Sequence, residues 1–314
     1  MNECFIGIDL GGTKVKIGLI KNDVIIDKVT VSALSSEGLE ASLTLLEKEI
    51  NQLFKANNID LLSLKGIGLA FPGLVDPHNK KILSTNAKYD DGFSINLENW
   101  IKDHWDVDFY IDNDARITAV GEWKYGEGKD TDNLVVMTIG TGIGTSAIIE
   151  GKLLRGKHFQ AGCLGGHISI QYNGSICTCG NIGCLEAYGS TWSIKKRIIN
   201  SPGFSKSVLS SVQVLDFEAL FIAAKQQDIL ALSLLNECYE AWSAGIINLI
   251  HAYDPEVVVI GGGVMNNRDT ILPNIIPRIN KHAWCPWGKV DIRPSNLLSD
   301  AALLGSVYCL QHKV

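Results

Sequence analysis

Phe5–Val31, FIGIDLGGTKVKIGLIKNDVIIDKVTV, decides the fold. β-Branched and aromatic residues fill Phe5–Asp9, Val15–Ile20 and Val24–Val31. The breaks fall at Gly11-Gly12 and at Lys21-Asn22-Asp23, so the stretch predicts a three-stranded antiparallel meander. A helical pattern follows over Leu39–Asn57, then a buried strand Gly66–Ala70 ending in Phe71-Pro72-Gly73, a strand Val107–Ile111 and a helix Ala115–Tyr125. Strand, helix, strand implies a crossover and a partly parallel sheet. The plan then recurs. Leu134–Ile139 and Ile143–Ile149 flank a second glycine turn, helices are predicted near Leu185–Asn200 and over Ile229–Tyr253, and the apolar strand Val257–Ile260 feeds Gly261-Gly262-Gly263. Helices over Ile271–His282 and Ala301–Gln311 complete the pattern.

A chain of 314 residues, 46% of them hydrophobic, can bury two cores. Charged residues make up 20%, mixed in sign, and the net charge of -6 offers no basic stripe to nucleic acid or an anionic membrane. No apolar run approaches the roughly 20 residues of a membrane-spanning helix, and no basic-then-apolar leader opens the chain, so a cytoplasmic protein is expected. Three of the eight cysteines crowd into Cys177-Thr178-Cys179 and Cys184, too local for a disulfide framework and suited to a metal in a reducing compartment.

Five constellations can carry chemistry. Asp9-Leu10-Gly11-Gly12-Thr13-Lys14 sets an acid at a strand end, two glycines that let backbone N–H groups approach phosphate, then a hydroxyl and a cation. Asp9 can hold magnesium directly or through water; a plain hairpin turn is the alternative. Gly140-Thr141-Gly142-Ile143-Gly144 lies between two strands, so it is neither a dinucleotide fingerprint nor a Walker loop, and a second Gly/Thr turn at the equivalent point of a repeated plan fits a clasp on phosphates from both sides. Gly261-Gly262-Gly263 can admit a flat adenine or ribose. Asp112-Asn113-Asp114 stands at a strand-to-helix junction between the halves, where Asp114 serves either as a helix cap or as the carboxylate that orients an alcohol and takes its proton. His167 with Cys177, Cys179 and Cys184 makes a closed set of four ligands for a structural zinc ion.

Taken together, Asp9–Lys14, Phe71-Pro72-Gly73, Asn113-Asp114, Gly140–Gly144, Gly166-His167 and the run from Cys177 to Glu186 resemble the ROK family (repressors, open reading frames and kinases), bacterial relatives of hexokinase in the actin-like ATPase superfamily. The resemblance implies a two-domain α/β fold of the ribonuclease H-like kind, each domain a mixed sheet flanked by helices, with a cleft between. The expected limits are 1–114 for the small domain, with the helix of about 300–314 folding back on it, and 115–299 for the large, zinc-bearing domain. It implies a sugar kinase that uses Mg-ATP on the 6-hydroxyl of a hexose. Asp114 would be the catalytic base, and Gly73, Thr85, Asn113, Asp114, His167 and Glu186 the sugar ligands. Asp9, Gly11, Gly12, Thr13, Lys14, Gly140, Thr141, Gly142, Gly144 and Gly261, Gly262 and Gly263 would form the ATP site. His167 would bind zinc through one ring nitrogen and a sugar hydroxyl through the other. A homodimer or homotetramer is expected. Relatives carry Glu-x-Gly-His where this chain has Leu164-Gly165-Gly166-His167, which leaves glucose, mannose, N-acetylglucosamine and N-acetylmannosamine all open. The alternatives of another class are a sugar-binding transcriptional regulator and a sugar-binding protein without catalysis.

Overall fold

A computed structural model describes residues 3–85 and 88–314. The chain divides into two compact units, residues 1–130, 153–163 and 299–314 in the first, and 131–152 and 164–298 in the second. In the first, β1 (Cys4–Leu10), β2 (Lys14–Lys21), β3 (Val24–Ser32), β4 (Leu64–Phe71) and β7 (Asp108–Asn113) form a sheet in the order β3-β2-β1-β4-β7, with a separate hairpin of β5 (Leu74–Asp76) and β6 (Lys81–Ser84). The meander is antiparallel as its turn residues demand, while β1, β4 and β7 run parallel. Parallel strands are covered on both faces, which is why β4 is almost wholly buried, whereas the edge strand β3 alternates between exposed and half-buried residues. α1 (Leu39–Ala56) and α2 (Leu97–Trp105) cover one face, where Leu46, Ile50 and Phe54 meet Ile6, Ile8 and Leu69. The opposite face carries α3 (Asp114–Tyr125).

The second unit repeats the order. β8 (Leu134–Ile139), β9 (Ile143–Ile149), β10 (Lys152–Leu153), β11 (Val257–Gly261) and β12 (Asp291–Pro294) line up as β10-β9-β8-β11-β12, with β8–β9 antiparallel and β8–β11–β12 parallel. Its helices are α4 (Glu186–Gly189), α5 (Thr191–Asn200), α6 (Phe217–Lys225), α7 (Ile229–Tyr253) and α8 (Arg268–His282). The helix expected near Leu185–Asn200 is broken at Ser190, whose extended backbone and hydroxyl cap α5 in a capping box.

α9 (Asp300–His312) lies on β1 and β4 of the first unit and against α3. The first unit therefore runs to 130 rather than stopping at 114. α3 and α9 pack backbone to backbone, with Gly121 on Ala301 and Gly305 on Ile117, so α3 shares a core with the N-terminal sheet and cannot be assigned to the other half. Among the described residues, no helix is long and apolar enough to cross a membrane.

Candidate functional site

In the first unit the chemistry gathers at the C-terminal ends of the parallel strands, where α/β sheets place ligands. Register aligns Asp9 on β1 with Ala70 on β4 and with Asp112 on β7. Asn113, not Asp114, caps α3: its Oδ1 accepts from the Ala115 and Arg116 amides, and its Nδ2 donates to the Gly73 carbonyl at 2.9 Å. This leaves Asp114 on the first turn with one oxygen, Oδ1, accepting from Ala115 N at 2.8 Å and Asn113 Nδ2 at 2.9 Å. Among the described residues no hydrogen bond reaches Oδ2. Desolvation pushes the Asp114 carboxyl up to about 6, and the charge of Asp9 adds to it; the Ala115 amide, the Lys88 ammonium and the Asn113 amide pull the other way. A carboxylate that changes charge near neutrality, with a free oxygen, is suited to accepting a proton from an alcohol.

Beneath Asp114 lies an ionic cluster that no sequence motif announces. Asp112 is fully buried. Its Oδ1 accepts from Asn113 N at 2.7 Å and from Arg116 Nη1 at 3.1 Å, and its Oδ2 from Arg155 Nη2 at 3.0 Å and the Tyr110 hydroxyl at 3.2 Å. Arg116, also fully buried, donates through Nη2 to the Phe159 carbonyl and lies 3.5 Å from Cys163 Sγ. Two guanidiniums on one carboxylate fix the strand end from which Asn113 and Asp114 project, and tie residues 155–163 to it. The i, i+4 spacing of Asp112 and Arg116 across the junction is the one local signal for it.

The first glycine turn is held from outside. Tyr89 OH donates to the Gly11 carbonyl at 2.8 Å and Ser35 OH to the Gly12 carbonyl at 2.6 Å. Asp9 pairs with Lys16 at 3.0 Å through Oδ2, whereas Thr13 and Lys14 are exposed. Thr85 is buried and donates to Asp90 Oδ1 at 2.7 Å.

In the second unit Gly140 and Thr141 of the glycine turn and Gly263 line one cavity of about 470 Å³, together with Thr191, Lys225 and Asn267. Thr191 N donates to the Gly140 carbonyl at 2.9 Å, so the start of α5 abuts the turn. The sequence gives no sign of Thr191 or Asn267, which reach the cavity only through the folding of α5 and the loop before α8. Gly262 has φ +89°, and a Cβ there would stand 2.3 Å from the Ile139 carbonyl oxygen. Gly262→Ala should therefore cost about 2–4 kcal/mol from left-handed backbone and overpacking. A melting midpoint and a nucleotide affinity both within error of the parent protein would overturn that.

His167, Cys177, Cys179 and Cys184 converge: their ligand atoms all lie within 4.8 Å of one another, with His167 Nδ1 3.7 Å from Cys177 Sγ and Cys179 Sγ 3.7 Å from Cys184 Sγ. Thiolates at a zinc–sulfur length of about 2.3 Å in a tetrahedron stand about 3.8 Å apart, so the donor set and spacing fit that ion. His167 closes the short helical turn Gly165–His167, whose Gly165 N donates to Thr145 Oγ1 at 2.8 Å. Glu186 opens α4, and both its oxygens are used within this unit: Oε2 accepts from Ile143 N at 2.8 Å and Oε1 from Trp192 Nε1 at 3.0 Å. Leu164 is 39% exposed, whereas the neighbouring Cys163 is buried beside Arg116.

Two units with the same sheet order, each bearing a Gly/Thr turn between its first two strands, define the actin-like ATPase fold of the sugar kinases. The chain belongs to the ROK family, whose sequence model matches residues 5–313. It is 28% identical to the glucokinase of Thermotoga maritima, over 98% of each chain. It is 27% identical to the xylose repressor of Bacillus subtilis, over 96% of this chain and 75% of that one. A solved structure of a ROK family glucokinase from Streptomyces griseus, in complex with glucose and AMPPNP, superposes with a TM-score of 0.83 at 25% identity, covering 98% of this chain and 99% of that one.

Proposed function

We propose that the protein is an ATP-dependent sugar kinase that phosphorylates a hexose or N-acetylhexosamine at its 6-hydroxyl. The observation that carries this is Asp114, a carboxylate held at about 6 at the head of α3 with one oxygen free. A sugar-binding regulator needs no such base. In the reaction, the hydroxyl proton passes to Asp114 as the sugar oxygen attacks the γ-phosphorus, the bond from that phosphorus to the bridging oxygen breaks, and ADP leaves. Backbone N–H groups of the two glycine turns receive the phosphates, and the cavity at Gly140, Thr141 and Gly263 receives the nucleoside. Magnesium enters with ATP. Lys16 engages one oxygen of Asp9, leaving the other for the ion or one of its waters. Asn113, Gly73, Thr85, His167 and Glu186 serve the sugar. Asn113 and Glu186 are held rigid by their other hydrogen bonds, which suits ligands that must not reorganise. Zinc supplies the fixed frame for His167.

Leu164 cannot accept a hydrogen bond from a sugar hydroxyl, and Cys163 accepts one weakly. With packing alone to discriminate, catalytic efficiencies for glucose, mannose, N-acetylglucosamine and N-acetylmannosamine should differ by less than about 10²-fold. A coupled assay of the four sugars with Mg-ATP tests both statements. Turnover of none of them would remove the kinase assignment, and sugar binding by calorimetry without ADP release would favour the sugar-binding regulator instead. A preference of several thousandfold for one sugar would leave the kinase standing and show that other residues read the hydroxyl.

A further inference from the structure

Lys88 lies outside every motif, yet its side chain crosses the face of Gly12. A Cβ built on Gly12 would stand 2.6 Å from Lys88 Cε and 2.9 Å from Lys88 Nζ. The absence of a side chain at residue 12 is what admits it. The segment bearing Lys88 is pinned at both sides: Lys88 N donates to the Thr85 carbonyl at 3.1 Å, Tyr89 N to the Ser35 carbonyl at 2.9 Å, and Tyr89 OH to the Gly11 carbonyl at 2.8 Å. The lysine is half-buried, and among the described residues its ammonium has no ion-pair partner, in contrast to Lys16, which Asp9 neutralises. Lys14, the cation within the motif, is exposed.

We propose that Lys88 is a catalytic residue, the cation that binds the transferring phosphoryl group at the first glycine turn; this rests on the kinase assignment above and names the group that would neutralise its γ-phosphate. Phosphoryl transfer passes through a state whose negative charge is spread over three equatorial oxygens, and catalysis consists of positioning and of donors aimed at that charge. An unpaired ammonium fixed over the turn is such a donor. Lys88 stays protonated throughout; the hydroxyl proton goes to Asp114, and ADP is the leaving group.

The same charge bears on Asp114. The groups that act on its carboxyl are Asp9 on β1, which raises its pKa, Lys88, which lowers it, and the Ala115 and Asn113 amides, which lower it; Lys16 on β2 faces Asp9, and Cys163 and Arg116 lie behind the junction. Removing the ammonium therefore raises the pKa of Asp114, and the acid limb of the pH–rate profile moves to higher pH.

The experiment is steady-state kinetics of the full chain and of Lys88→Met, Lys88→Gln and Lys88→Arg with Mg-ATP and the best of the four sugars, from pH 5 to 9. Titration with AMPPNP and with ADP runs alongside. The expected result is a kcat lower by about 10²-fold or more in the Met and Gln variants, as for loss of one oriented donor. Their acid limb should shift upward and their preference for AMPPNP over ADP should be lost, while Lys88→Arg keeps the limb in place and recovers part of the rate. A merely structural lysine would leave the limb where it is and lower both nucleotides' affinities together. Met and Gln variants with kcat within threefold of the parent, or with an unmoved limb, overturn the proposal while leaving the kinase assignment intact. A parent protein that turns over none of the sugars overturns both.

Discussion

Asp114→Asn should lose at least about 10²-fold in kcat, the contribution of a positioned base, while sugar affinity changes little because the other ligands remain. It should also gain stability. The folded-state pKa of about 6 lies above the ordinary 3.8, so the native protein holds this proton more tightly than the unfolded chain does. Stability is therefore greatest below the unfolded value, falls as pH rises through the window from about 4 to 6, and carries the cost of the partly desolvated charge at pH 7, on the order of 1–3 kcal/mol. The amide removes that cost, so the inactive variant should melt higher at pH 7, with the difference vanishing near pH 4. In the parent protein kcat/KM should fall about tenfold per pH unit below 6. Near-normal turnover of the purified variant would end the assignment of Asp114. A variant that is inactive but less stable at pH 7 would show that the hydrogen bonds Asp114 accepts from Ala115 N and Asn113 Nδ2 outweigh its desolvation.

On the proposed role of Asp114, stability and turnover pull in opposite directions at one residue, and Asp112 holds the strand end that carries it. Asp112, with two guanidiniums among the five donors in hydrogen-bonding distance of its two oxygens, anchors the strand end rigidly enough for the next two residues to be held in place. A buried pair of this kind is weak evidence of net stability, since desolvating the charges consumes most of the Coulomb gain. Its value here is positional. It fixes Asn113, whose amide bridges Gly73 and the carboxylate of Asp114.

Much of this was legible in the sequence because it is written locally. The three strands of Phe5–Val31 announce themselves through β-branched runs and turn residues, and the four metal-type ligands through their spacing; the structure brings Cys177, Cys179 and Cys184 to His167. The repeated sheet order follows from the repeated strand-turn-strand pattern. The β5–β6 hairpin and α6 are too short to show a clear period, and β12 is four residues with no alternation to read. The unit boundary escaped for another reason: α3 is joined in sequence to the halfway point but packs on α9, nearly two hundred residues further along, and no local pattern encodes that pairing. Lys88 and Arg155 belong to the same class. Each is one cation among the 28 lysines and arginines of the chain, and only the folded backbone singles out the one over Gly12 and the one that joins Arg116 on Asp112.

The largest single effect should come from removing the zinc ion expected at His167, Cys177, Cys179 and Cys184. Between His167 and Cys184 the described chain has no long helix or strand, only the isolated bridges Ser169–Cys184 and Ile176–Ile182 and a few turn hydrogen bonds. Its apolar residues bury little: Tyr172 is 87% exposed, Ile176 72% and Ile182 45%. Packing alone cannot offset the entropy of ordering about 1–2 kcal/mol per residue over such a loop, whereas a structural zinc ion held by thiolates and an imidazole contributes about 10–16 kcal/mol in small peptides. One zinc per chain is therefore expected by elemental analysis of the protein as purified. Stripping it with a chelator, or replacing Cys184 by Ser, should abolish hydrogen-exchange protection from residues 168 to 184 and free His167. The loss should stop at Glu186, because α4 is tied down independently: Trp192 Nε1 binds the Glu186 carboxylate, and Trp242 Nε1 donates to the Gly189 carbonyl at 2.9 Å. Protection of the Gly140–Gly144 turn and binding of AMPPNP should then persist while sugar phosphorylation falls by about 10²-fold or more, the effect of displacing a positioned ligand. Readdition of zinc should restore it in the stripped protein but not in Cys184→Ser. A metal-free preparation with full activity and intact protection over 168–184 would show that the four side chains converge without needing the ion, and the role given to His167 would fall with it.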